Sequence, residues 1–307
     1  MHYPLVTLVG GSGFVGRHTV KHFAGAGWRV RVLCRDTVAA EFLKTAGYPG
    51  QIVVDYADIT RPDTLRNKLA GSDAVVNLVS ILAECGRQKF TNINIAGAKV
   101  IAEEAVKADA KSFVQISALG AGRGAARYAE TKKSGEDAVR SAFPNAVILR
   151  PSLIVGPEDG FFQRFGRMSM IAPALPLIGG GKTKFQPVLV SDVAQAVFQA
   201  ATDVKCAGNT YELAGDEVLS FRQLLEKMRT VIKRKFCLVS IPSCIASLMG
   251  RICELLPLKP AITRDQVRML GIDSVVQTGA LTLRHMGITP RTLDSALPEL
   301  LARYISA

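Results

Sequence analysis

Tyr128 and Lys132 stand one helical turn apart, in the spacing Tyr-x-x-x-Lys. A free phenol titrates near pH 10 and is a poor acid or base at neutral pH. A lysine on the same helical face lowers that value electrostatically, so the pair is a candidate proton donor and acceptor. Ser117 precedes it at the end of an apolar run, Ser112–Ile116, and a hydroxyl there would orient a substrate carbonyl. The competing explanation for Tyr-x-x-x-Lys is an ordinary surface turn of helix.

About a hundred residues upstream lies Gly10-Gly11-Ser12-Gly13-Phe14-Val15-Gly16. It follows the apolar run Leu5–Val9 and opens an amphipathic pattern, Gly13–Ala26. Glycines at 10, 13 and 16 permit a sharp turn, close approach of the backbone to a pyrophosphate, and tight packing of helix on strand. The N-terminus of the helix adds free N–H groups and a positive dipole end. Ser12, Phe14 and Val15 fall inside the same loop and first turn. The pattern therefore predicts a dinucleotide site. The next apolar run, Val30–Leu33, ends in Cys34-Arg35-Asp36. An acidic residue at that place would bond the ribose of NAD; here Arg35 can pair with a 2′-phosphate, which favours NADPH over NAD. The alternative is a solvated Arg35 beside a capping Asp36. Asp58-Ile59, after the third run, is a candidate contact to the adenine edge or else a turn. Leu78 ends the fourth run and faces the expected cofactor groove.

These residues need a scaffold. Runs at Leu5–Val9, Val30–Leu33, Ile52–Asp55, Ala74–Leu78, Ser112–Ile116 and Ala146–Leu149 alternate with helical patterns such as Ala96–Ala108 and Glu130–Ala142. Near-continuous apolar strands joined by helices predict a buried parallel sheet, an α/β fold of the Rossmann, doubly wound type. The alternation decays after Pro151. Gly179-Gly180-Gly181 predicts a mobile or tightly turned loop, and Ser191 is placed to cap a helix over Ser191–Ala201. The expected division is residues 1–155 with 186–202 as the dinucleotide-binding domain, and 156–185 with 203–307 as a smaller lobe.

The formal net charge is +12, and residues 220–307 hold 13 Lys/Arg against 6 Asp/Glu. Aromatics are 7% and do not interleave with the basic residues, which argues against nucleic acid. The six cysteines form no Cys-x-x-Cys pair, so no metal site is expected, and a reducing compartment is. The N-terminus enters a strand at once, which reads as no signal or transit peptide. An apolar stripe in Ser243–Leu256 (Ile245, Leu248, Met249, Ile252, Leu255, Leu256) follows the basic run Lys227–Lys235. It predicts either a peripheral contact with an anionic membrane or a face buried in the lobe's own core.

Together these motifs resemble the extended and atypical branches of the short-chain dehydrogenase/reductase superfamily, which include NAD-dependent epimerases and dehydratases. Leu149–Pro157 is similar to the segment that contacts the nicotinamide end, through Pro151, and Gln186–Ala194 to a later strand-to-helix signature. Tyr128…Lys132…Gly135-Glu136, Ala142-Phe143-Pro144, Lys184…Gln186-Pro187-Val188 and Ile262–Val267 are similar to the NADPH-binding accessory subunits of mitochondrial respiratory complex I and their bacterial relatives. That resemblance implies NADPH as a largely structural cofactor and complex I subunits or proteins of ubiquinone biosynthesis as partners. It implies a cytoplasmic location at the inner face of a bacterial inner membrane, or the matrix side in a mitochondrion. The alternative is an active NADP-dependent reductase or epimerase of a small carbonyl or quinone-like substrate. One position departs from the superfamily: its catalytic hydroxyl aligns with Ala118, next to Ser117.

Overall fold

The computed structural model describes residues 3–86, 88–124, 126–242, 244, 245, 247 and 264–305. A seven-stranded parallel sheet dominates it. Its strands are β1 (Leu5–Val9), β2 (Arg29–Cys34), β3 (Ile52–Tyr56), β4 (Ala74–Asn77), β5 (Ser112–Ile116), β6 (Val147–Pro151) and β11 (Thr210–Leu213). The spatial order is β11-β6-β5-β4-β1-β2-β3. The chain thus reverses direction of travel between β1 and β4, and a crevice opens there at the strands' carboxyl ends.

Alternation along the strands builds both faces. Val6, Leu8, Val30, Val32, Val76 and Val114 join one core, beneath α1 (Phe14–Gly25) and α5 (Val190–Thr202). Val9, Leu33, Val75, Phe113 and Ile148 join the other, beneath α2 (Ala98–Lys107) and α3 (Arg127–Ala142). The six predicted strands all form, each within two residues of its expected ends.

A third core belongs to the smaller lobe. Phe162 of α4 (Phe162–Ile171), Leu175 and Leu177 of β8 (Ala174–Ile178), Leu224, Leu225 and Met228 of α6 (Phe221–Ile232), and Leu297 and Leu301 of α8 (Leu293–Leu301) meet there. β8 pairs in parallel with β13 (Cys237–Ile241). A short helix, α7 (Arg264–Met269), follows the undescribed stretch. Two short strand pairings lie in the connections: β7 (Ile154–Val155) with β10 (Val188–Leu189), and β9 (Lys184–Phe185) with β12 (Leu219–Ser220).

The expected division needs adjusting. Residues 203–307 do not all go to the lobe, because β11 extends the main sheet beside β6, and Leu283, Met286 and Ile288 pack into the first core. Ser191 does not cap α5: Leu189 holds the cap position with no side-chain bond, and the Ser191 hydroxyl lies 3.2 Å from an Asp192 carboxylate oxygen. Gly179–Gly181 is a tight turn, with φ of 60°, 73° and 69°. Of the predicted amphipathic stripe, only Ile245 lies among residues whose surroundings are described, and it is exposed; Leu248, Met249, Ile252, Leu255 and Leu256 lie outside them. No described helix is long and apolar enough to cross a membrane.

Candidate functional site

The glycine loop runs from β1 into α1 at the crevice. Gly10 takes φ +82°, and a Cβ on it would sit 2.8 Å from the Val79 side chain at the end of β4. A Cβ on Gly16 would sit 2.4 Å from the Gly11 carbonyl oxygen, so the third glycine is what lets α1 close onto its own loop. Gly13 is the N-cap of α1 and offers no side-chain bond to the first turn. The N–H groups of that turn therefore face the crevice uncapped, as a pyrophosphate cradle requires. Phe14 packs toward Gly156, where a Cβ would lie 2.9 Å from its ring. Val15 and Leu78 are half-buried against the first core.

Around the expected adenosine end the residues separate. Arg35 is exposed, with no ion pair among the described residues. Asp36 accepts the Ala39 N–H at 2.9 Å and is committed to a local turn. Asp58 accepts both the N–H and the hydroxyl of Thr60, at 3.0 and 2.8 Å, which is the turn role rather than an aimed adenine contact. Ile59 is buried against Gly97 and belongs to the core. Arg17, which the sequence did not single out, stacks 5.0 Å over the Phe42 ring and pairs with Glu158 at 3.3 Å.

Helix α3, which carries Tyr128 and Lys132, starts on a distant support. The Asp265 carboxylate accepts the N–H groups of Arg127 and Tyr128 at 2.9 and 3.0 Å. Tyr128 and Lys132 share one face of this helix and are 6% and 3% exposed. Gly135, on the next turn, leaves room for the Asn94 carbonyl oxygen, which a Cβ there would meet at 2.0 Å. The buried Asn94 Oδ1 has no hydrogen-bond partner among the described residues.

The electrostatics differ from expectation. Burial pushes the Tyr128 phenol up to about 12, partly opposed by a bond with the Ser80 hydroxyl. Burial pulls the Lys132 ammonium down to about 8, partly opposed by Glu136. The predicted lowering of the phenol by the ammonium is therefore reversed. Lys132 Nζ donates instead to the Ile116 carbonyl at 3.0 Å. A buried phenol with that partner elsewhere feels mainly its own desolvation.

Ser117 is also turned away from the expected task. Its hydroxyl donates to Glu136 Oε1 at 2.5 Å. Glu136, 4% exposed, is held in a fork by Arg150 at 2.9 and 2.6 Å. Arg150 lies 3.8 Å from Glu212, which Arg123 binds at 2.7 Å. Ser117 thus closes a buried ionic chain, and the neighbouring Ala118 is half-exposed. Pro151 is buried at the end of β6, where its carbonyl accepts the Leu119 N–H at 2.8 Å. Glu136 was visible in sequence only as part of Gly135-Glu136, one turn beyond Lys132. Ser80 carried no local signal, and Asp265 was visible only as part of Ile262–Val267, without its role, because each meets α3 across the fold.

A model of the NAD-dependent epimerase/dehydratase family matches residues 6–214. The chain belongs to this family. Its cradle of glycines and uncapped helix end suits the NAD(P) cofactors that the family uses. The mitochondrial NADH dehydrogenase [ubiquinone] 1 alpha subcomplex subunit 9 of Mus musculus is 30% identical across 98% of this chain and 80% of its own length. The ceramide reductase of Caulobacter vibrioides is 34% identical over 57% of this chain and 54% of its own. Among solved structures, MoeE5 in complex with UDP-glucose and NAD superposes with a TM-score of 0.74 at 17% identity, covering 98% of this chain and 99% of that one. The last comparison speaks for the fold alone.

Proposed function

We propose that this chain is an NADPH-binding protein of the complex I accessory-subunit type, in which the cofactor serves chiefly as a structural element. The observation that carries this is the capture of Ser117 by Glu136. The glycine cradle is complete, yet the hydroxyl expected to orient a carbonyl is committed to a buried carboxylate. Whole-length similarity to a respiratory subunit supports the same reading. Subunits of a respiratory NADH:ubiquinone oxidoreductase are its partners, on the inner face of a bacterial membrane or the matrix side of a mitochondrial one. Proteins of ubiquinone biosynthesis are the alternative partners.

NADPH is favoured over NAD because exposed Arg35 at the end of β2 has no competing carboxylate, while neighbouring Asp36 is spent on its turn. A charge-assisted pair to a 2′-phosphate is worth about 1.5–3 kcal/mol, or roughly 10- to 150-fold in affinity. Bound NADPH would supply a hydride donor at the crevice. This chain's own contribution is to hold the pyrophosphate at Gly10–Gly16 and to bring Tyr128 and Lys132 beside the nicotinamide end.

The similarity to a ceramide reductase favours a second reading, an active reductase. There, bound NADPH would supply the hydride for a carbonyl carbon, and the Tyr128 phenol would hold the proton destined for the carbonyl oxygen. One experiment separates the two. The protein is purified without added cofactor, its bound nucleotide identified by mass and fluorescence, and NADPH oxidation followed with quinones and small carbonyls. Retained NADPH, lost in Arg35→Ala and not oxidised, supports the structural cofactor. Turnover abolished by Tyr128→Phe refutes it, and bound NAD or an empty protein refutes the role given to Arg35.

A further inference from the structure

The basic excess of the C-terminal third is not scattered. A cleft of about 440 Å³ lies at the end of α6, lined by Pro173, Arg229, Thr230, Lys233, Arg234, Lys235, Phe236 and Cys237. Among the described residues its lining holds four cations and no carboxylate. Among the described residues, Arg229 and Arg234 donate to backbone carbonyls alone, of Phe236 at 3.4 Å and Tyr304 at 3.1 Å. Lys233 and Lys235 are exposed and make no ion pair among the described residues. By contrast Lys227, one turn earlier on the same helix, is neutralised by Glu217 and Asp294 at 3.3 and 2.5 Å.

Cations near a helix C-terminus complement its dipole, and Arg229 in the last turn serves that purpose. The effect fades within a turn, and Lys233–Lys235 stand beyond it. The backbone turns at Lys233 through φ +54°, a left-handed conformation uncommon for a lysine.

The rim beside these charges is apolar. Pro173 and Cys237 lie side by side where β8 and β13 begin, tied by the Cys237 N–H to the Pro173 carbonyl at 2.9 Å. Two residues before Pro173, Ile171 is 88% exposed, and Met170 beside it is also exposed. Two residues beyond Cys237, and on the same face of β13, Val239 is exposed. A soluble anion would need the cations alone. Apolar side chains projecting next to an uncompensated basic cleft match the boundary between phosphate headgroups and acyl chains.

We propose that this cleft binds the phosphate of an anionic membrane phospholipid, with Ile171, Met170 and Val239 against the acyl region. The site lies in the smaller lobe, and its assignment does not depend on the cofactor reading. The full-length protein is tested by co-sedimentation with vesicles of phosphatidylcholine alone and of phosphatidylcholine mixed with phosphatidylglycerol. Expected is binding to the mixed vesicles only, weakened by salt. Each lysine near an anionic surface is worth about a fivefold change in affinity, so Lys233→Asn with Lys235→Gln weakens binding about 25-fold. These side chains are exposed, and an unchanged melting temperature checks the fold. Ile171→Asp weakens vesicle binding and leaves any binding of inorganic phosphate, followed by calorimetry, unchanged. Equal binding to both vesicle types, or a double variant that binds as the parent does, overturns the site. Binding of inorganic phosphate with no binding to the mixed vesicles overturns the membrane source.

Discussion

Lys132→Met should make the protein more stable and less able to hold its cofactor. The buried ammonium titrates near 8 instead of its ordinary 10.5. Holding the ammonium that far below its ordinary value corresponds to roughly 3 kcal/mol by which folding disfavours the charged form. Methionine has a similar reach and no charge to desolvate. The Ile116 carbonyl keeps a donor, because Gln115 Nε2 also binds it at 2.9 Å. Glu136 keeps its fork with Arg150. We therefore expect a gain of about 2 kcal/mol at pH 7, which is roughly 4 °C in a chain of this size. The sign across pH follows from linkage. Between about pH 8 and 10.5 the unfolded lysine holds more protons than the folded one, so wild-type stability rises with pH over that window. The advantage of the variant should shrink by the same amount. Urea unfolding at pH 7, 8, 9 and 10 with cofactor-free protein measures both curves. A variant less stable than wild type at pH 7, or a gap independent of pH, would refute the assignment of Lys132 as a charge buried for function.

Three further outcomes follow from other contacts. Glu136→Ala removes the forked partner of the Arg150 guanidinium, leaves it Glu212 at 3.8 Å, and should cost about 3 kcal/mol, read as a drop in urea midpoint; the Glu136→Gln variant should recover part of it. Asp265→Ala removes the cap from α3 and should cost about 1–2 kcal/mol, with faster amide exchange confined to the first turn at Arg127 and Tyr128. Tyr128→Phe removes a phenol held protonated to about 12, against an unfolded value near 10. Wild type therefore loses stability as pH rises through 10 to 12, and the variant should not, as alkaline melting curves would record.

Much of the frame was legible because periodicity reports burial directly. β1, β4 and β5 are apolar on both faces, and their runs could be read without knowing their neighbours. The glycine cradle was legible for a related reason: only glycine tolerates φ +82° at position 10 or a carbonyl 2.4 Å from its Cβ position at 16. The site's chemistry was less so. Spacing placed Tyr128 and Lys132 on one helical face but could not say that Lys132 reaches the Ile116 carbonyl. Ser117 ends its strand as expected, yet strand alternation turns its hydroxyl to a glutamate 19 residues later. β11 was missed because Thr210–Leu213 is short and lies amid Gly- and Asp-rich turns. Its place beside β6 is set by pairing, which no local pattern encodes.

The carboxylate beneath α3 has a consequence for the order of events during synthesis. The helix that carries Tyr128 and Lys132 begins at residue 127, but the group that seats its first turn arrives 137 to 138 residues later. At about 5–20 residues per second, a ribosome leaves that turn without its partner for roughly 7–30 s. During the interval the nascent sheet can already present Gly10–Gly16, whose partners at Val79 and Gly11 are all made early. A nucleotide that lodges there first would be held at its phosphates before its nicotinamide end is enclosed. Chains truncated before residue 265 should remain in that half-gripped condition, so the far end of the gene governs how the beginning of the protein holds its ligand.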